Sequence, residues 1–190
     1  MSVPGDELDV LVGAAVCGER QATASLLQWI NPLVLRYCRA RLGRQEKTFA
    51  SADDVAQEVC LAVLKALPSF RDQGRPFLAF VFGIAAHKVA DTHRAVARNR
   101  TDPVADFPDE QVQVIGPEQQ ALQDELAGRM DRLLDTLPAK QREIIVLRVV
   151  IGLSAEETAE TVGGTAGAVR VTQHRALNRL RRVLVAQEMV

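Results

Sequence analysis

The chain has 190 residues, 47% of them apolar and 25% charged, which suits one domain of ordinary size or two small ones with a buried core and a charged surface. Lys and Arg number 23 against 24 Asp and Glu, so a histone-like polycation is excluded, although a balanced total can hide segregated patches. Phe77 to Ala86, the longest strongly apolar run, is interrupted by Gly83 and falls short of the ~20 residues of a membrane span. Met1 to Gly5 lacks the basic and apolar regions of a signal peptide, and a cytoplasmic protein is expected. Cys17, Cys38 and Cys60 are far apart and form no Cys-x-x-Cys, so neither a disulfide framework nor a structural zinc site is expected.

Taken in chain order, almost every apolar pattern has a helical period. Asp6 reads as the N-cap of a first helix carrying Leu8, Leu11, Val12 and Ala15, broken by Gly18. A second helix is expected from about Gln21 to Leu42 with Leu27, Ile30, Val34 and Tyr37 on its stripe, kinked or divided by Pro32. Ser51-Ala-Asp-Asp54 reads as a capping box opening a third helix that stops before Pro68. On its wheel Val55, Val59, Ala62, Val63 and Ala66 face the core, while Asp54, Gln57, Glu58, Leu61 and Lys65 point away. A fourth helix begins near Pro76 and runs to about Arg98. Its first half is apolar all round, as in the central helix of a bundle, and core packing is the plain reading of its aromatics.

From Asn99 to Gly116 the periodicity vanishes among Pro103, Pro108, Asp102, Asp106, Asp109 and Glu110. Nine acids against two bases between Thr101 and Thr136 make this a flexible acidic linker between two helical units. The second unit is expected to hold helices from about Glu118 to Asp135 and Pro138 to Val150. Ser154-x-x-Glu157 then caps a short helix ending at Val162, and Thr165 caps a last helix to about Gln187. Ala159, Gly163 and Val169 have the spacing of a helix-turn-helix: a small residue at the crossing, a Gly for the turn and an apolar anchor. With Val169 at the centre of the inner arc, Gln173, Ala176, Leu177, Leu180 and Leu184 join it. Arg170, Val171, His174, Arg175, Asn178, Arg181 and Arg182 occupy the outer arc. Five arginines and no acid between Gly164 and Arg182 suit a helix entering the major groove.

No metal-ligand, nucleophile-elbow or phosphate-loop motif is present, so catalytic residues, metal ligands and cofactors are all expected to be none. His87 and His93 lie on different faces of their helix. Beside a remote enzymatic reading, a stand-alone helix-turn-helix regulator with an N-terminal sensor or dimerisation domain stays open.

Asp53-Asp54-Val-Ala-Gln57-Glu58-Val-Cys-Leu61, then Phe77 to Arg94, then Leu137-Pro-Ala-Lys-Gln141-Arg142-Glu143 through Gly152-Leu-Ser154 to Val169-Arg170 and His174-Arg175, resemble the extracytoplasmic-function sigma factors of bacterial RNA polymerase. Gly74-Arg-Pro-Phe-Leu-Ala-Phe80 with Ala85-Ala-His-Lys-Val-Ala-Asp91 is similar to the mycobacterial sigma factor D branch. The resemblance implies an all-α chain. A sigma-2-like four-helix domain over residues 1–98 and a sigma-4-like domain over 117–190 would be joined by linker 99–116. It implies that Asp54, Gln57, Glu58 and Leu61 meet the β′ clamp helices of core polymerase, with the β flap as a second contact. It assigns the −10 element to Phe80, Phe82, His87, Lys88, Arg94 and Arg98, and the −35 element to Thr165, Arg170, Val171, His174, Arg175, Asn178 and Arg181. Promoter DNA and an anti-sigma factor are the other implied partners, with no membrane insertion of the chain itself. The chain departs from the family's usual Trp-Leu-Tyr-Arg-Ile-Ala-Arg-Asn, which here reads Phe80-Val-Phe82-Gly83-Ile-Ala-Ala86-His87.

Overall fold

In the computed structural model, residues 5–43, 51–71, 74–99 and 117–188 are described. The linker between residues 100 and 116 lies outside them, and with it the expectation of disorder there. All regular structure among the described residues is helical.

The first helix, α1 (Gly5–Val16), starts one residue before Asp6, which therefore sits in its first turn and is not its N-cap. Gly18, at φ +88°, turns the chain into α2 (Arg20–Leu42). This helix runs through Pro32 undivided. Ile30, Val34, Tyr37 and Cys38, on either side of the proline, are all fully buried, so packing outweighs the backbone hydrogen bond that Pro32 cannot donate. The buried stripe runs through Ala22, Leu26, Ile30, Val34, Tyr37, Cys38 and Leu42, and the expected Leu27 is only half-buried. Ser51 and Asp54 form the expected capping box of α3 (Ala52–Ala66): Asp54 N donates to Ser51 Oγ at 3.1 Å, and Ser51 N donates to Asp54 Oδ2 at 3.1 Å. A 3₁₀ turn, Leu67–Ser69, follows at the proline, and α4 (Phe77–Asn99) crosses both α2 and α3.

After the linker come α5 (Pro117–Asp135), α6 (Ala139–Ile145), α7 (Ala155–Val162) and α8 (Ala166–Glu188). The α-helix expected to reach Val150 ends at Ile145 and gives way to a π-helical stretch, Val146–Ile151. Gly152, left-handed at φ +90°, closes that stretch, and Leu147 O accepts from both Gly152 N (3.1 Å) and Leu153 N (2.9 Å). Arg148 is thereby turned to donate to Gln173 Oε1 at 3.0 Å and to the Leu153 carbonyl. The π register thus ties the wider turn to α8.

One apolar core continues from Val12 in α1 to Ala176 in α8. The two units are therefore packed together: α2 lies on the π-helical stretch and α7 lies on α4. A smaller core of Ile144, Ala155, Ala159 and Val169 holds α6, α7 and α8 to one another.

Candidate nucleic-acid and polymerase-binding surfaces

The helix-turn-helix is assembled by local chemistry. Ser154 caps α7, with Glu157 N donating to Ser154 Oγ at 3.0 Å and Ser154 N to Glu157 Oε2 at 2.7 Å. Gly163, at φ +69°, supplies the turn conformation that an L side chain rarely adopts. Thr165 Oγ1 then accepts from Ala168 N at 3.2 Å, capping α8. Ala159 and Val169 fill the crossing, as their spacing predicts.

On α8, Val169 and Ala176 are buried, whereas Leu184, expected on the inner arc, is 39% exposed, in a stretch where residues 181, 182, 185 and 186 are exposed as well. Thr165, Arg170, Val171, His174, Arg175, Arg181 and Arg182 are exposed together on the outer arc, and Asn178 is half-buried. The arc is pre-ordered: Arg170 Nη2 donates to Glu156 Oε1 of α7 at 2.6 Å, and Asn178 Nδ2 lies 2.9 Å from His174 Nε2. Glu156, in the first turn of α7, is held below the usual carboxylate range by hydrogen bonding at its own backbone N–H and then by Arg170. Glu156 is a partner of Arg170 that the basic-arc pattern did not mark. Its signal was its place two residues after the Ser154 cap.

On α4 the expected residues separate. Phe82 is fully buried, 5.3 Å from the Tyr37 ring between centroids. It presents no surface to a DNA strand, and its assignment to the −10 element is corrected to a core role. Phe80 is half-buried, packed on Phe70 at 5.0 Å and Phe77 at 5.9 Å, with an edge that reaches solvent. His87, Arg94 and Arg98 are exposed, and Lys88 is half-buried. Arg94 donates to Asp91, which lowers the Asp91 carboxyl below its ordinary value. Lys88 Nζ donates to Glu58 Oε2 at 3.0 Å, tying α4 to α3.

On α3, Val55, Val59 and Val63 are buried, and Asp54, Gln57, Glu58 and Leu61 are exposed together. Leu61 is 56% exposed and Leu64, one turn on, 38%. Apolar side chains flanked by carboxylates and an amide make a surface suited to a protein partner. Leu64, not singled out from the sequence, lies nine residues from Val55 and so on the face opposite the buried stripe, where its apolar side chain is the signal. Among the described residues, no group of His, Cys, Asp or Glu side chains converges as a metal site, and no helix is long and apolar enough to cross a membrane.

Comparison with known proteins gives the same two units. The Sigma-70 region 2 family matches residues 28–99, and the Sigma-70 region 4 family matches residues 127–180. The chain is 58% identical over 186 residues to the ECF RNA polymerase sigma factor SigD of Mycobacterium tuberculosis, covering 98% of this chain and 88% of that one. It is 51% identical to ShbA, an ECF RNA polymerase sigma factor of Streptomyces griseus, over 92% of this chain and 93% of the other. Among solved structures, CnrH in complex with the cytosolic domain of CnrY superposes with a TM-score of 0.70 and 26% identity. That superposition covers 93% of this chain and 96% of CnrH.

Proposed function

The chain belongs to the extracytoplasmic-function RNA polymerase sigma factors, and on that premise we propose how its surfaces divide the work of initiation. It is a sigma factor: it binds core RNA polymerase and directs promoter recognition and transcription initiation. In our reading, residues 1–98 dock on the polymerase and read the −10 element. Residues 117–190 read the −35 element, and 99–116 join them. Asp54, Gln57, Glu58 and Leu61 meet the β′ clamp helices, and Leu64 extends that surface. Phe80, His87, Lys88, Arg94 and Arg98 contact the opened −10 strand, where stacking and phosphate pairing suit an aromatic edge beside a basic helix. Thr165, Arg170, Val171, His174, Arg175, Asn178 and Arg181 face the −35 major groove. The β flap is the further polymerase contact.

The observation that carries this division is the exposed acidic and apolar face of α3, for which a stand-alone regulator has no use. The chain acts in the cytoplasm without catalysis of its own, and an anti-sigma factor controls it. The likeness to CnrH, whose structure holds the CnrY cytosolic domain, supports that last assignment. Run-off transcription with core polymerase tests the reading. Promoter-specific transcripts should require the chain, and equal transcription without it would refute the assignment.

A further inference from the structure

Lys88 and Glu58 belong to two different surfaces, yet they hold each other. Lys88 stands among the −10 residues of α4, and Glu58 stands between Asp54 and Leu61 on the polymerase-facing side of α3. Lys88 Nζ donates to Glu58 Oε2 at 3.0 Å. Each residue precedes a fully buried valine, Val89 on α4 and Val59 on α3, so the packing of the two helices brings both backbones to one rim. Lys88 is half-buried, the pattern of a covered stem with its ammonium at the surface. Asp91, one turn on, also lies near Lys88, but Arg94 donates to that carboxylate.

In the free chain the pair therefore satisfies two charges that the two partners would each use. A −10 phosphate takes Lys88 by drawing it off Glu58. A cation of the polymerase that shares Glu58 weakens its hold on Lys88, because one carboxylate then faces two positive charges. The surfaces need no long path between them, since the axes of packed helices are about 8–10 Å apart.

We propose that the Glu58–Lys88 pair couples the two binding events: polymerase on Glu58 releases Lys88 toward the −10 strand, and the strand on Lys88 releases Glu58 toward polymerase. The proposal rests on the surface assignments above. Linkage makes the coupling reciprocal, so each partner improves binding of the other by the same factor. The worth of the pair bounds that factor. With side chains 37% and 60% exposed, such a pair changes an equilibrium constant by about fivefold at most. A pair that only staples α3 to α4, or that orients Glu58 for the polymerase, makes the opposite prediction for loss of Lys88.

Binding titrations of the full-length chain test the coupling, in low salt where exposed pairs are least screened. One series uses the single-stranded non-template −10 segment of a promoter that gives run-off, and the other uses core polymerase without DNA. Glu58→Gln should tighten the free chain on the strand by about two- to fivefold. Lys88→Gln should weaken it, and the double variant should match Lys88→Gln alone. On core polymerase, Lys88→Gln should bind tighter than wild type by a similar factor, whereas Lys88→Arg should behave as wild type in both series. Circular dichroism verifies that each variant is helical; should Lys88→Gln fail to fold, Lys88→Met, which keeps the apolar stem, decides. Additive effects in the double variant, or unchanged or weaker binding of Lys88→Gln to core polymerase, would overturn the coupling. Strand affinity indifferent to Lys88→Gln overturns it as well and removes Lys88 from the −10 surface. Failed coupling with wild-type run-off intact refutes this proposal alone, whereas absence of run-off by the wild type refutes the sigma-factor reading on which it rests.

Discussion

Phe82 fills the space between α2 and α4 against Tyr37, so truncating it opens a cavity in the centre of the protein. Phe82→Ala should destabilise the fold by about 3–5 kcal/mol in a denaturant melt, with transcription abolished through unfolding. Phe80→Ala, at a half-buried site, should cost less stability and lower run-off from a folded protein. Equal melting of Phe82→Ala and wild type would remove Phe82 from the core. Arg170 poses a different question, because Glu156 already holds one of its guanidinium nitrogens. If Arg170 binds a base edge in bidentate fashion, Arg170→Ala should weaken holoenzyme binding by about 1–3 kcal/mol and relax preference at a single −35 base pair. If it pairs with a phosphate, the same substitution should weaken binding uniformly and reduce the salt slope by about one. Affinity and salt slope both unchanged would exclude Arg170 from the interface. The sequence could not separate Phe80 from Phe82: on a segment apolar all round, the helical period leaves no polar face to orient the wheel.

Helix by helix, the ends were the most legible parts. The capping boxes at Ser51 and Ser154 and the Thr165 cap depend on residues three positions apart, so the chain states them without tertiary help. The interior of α2 and the π-helical stretch were not legible, because burial on both flanks decides whether Pro32 or a widened turn is accommodated. The same caps sharpen a test of α3. Glu58 is exposed and pairs only at the surface with Lys88, so Glu58→Lys should cost at most about 1 kcal/mol of stability. It should nevertheless abolish co-purification with core polymerase by reversing charge beside Leu61. Asp54→Lys does two things at once, since Asp54 closes the capping box, and about 1 kcal/mol of stability should go with it. A folded Glu58→Lys protein that still co-purifies at wild-type levels would remove α3 from the polymerase interface.

At the scale of the whole molecule, the division into an N-terminal and a C-terminal helical unit is visible in the acidic, proline-marked break after Asn99. The contact between the units is not, because Tyr37 and Glu143 are related only by the folded arrangement. The acidic stretch invites its own test. Replacing Asp102, Asp106, Asp109 and Glu110 with Ser keeps the length and removes the charge. A linker that imitates nucleic acid near the polymerase active site should, once neutralised, leave promoter binding intact and alter the yield or lengths of short initial transcripts. An unaltered short-transcript profile would make it a spacer.

The smaller core of Ile144, Ala155, Ala159 and Val169 is contained wholly within α6, α7 and α8. The crossing of α7 and α8 is thus packed by side chains that belong to neither α2 nor α4, while Ala176, farther along α8, still enters the core shared with the N-terminal helices. The crossing is shaped locally, and the entropy of fixing its angle is settled during folding and not on meeting a partner.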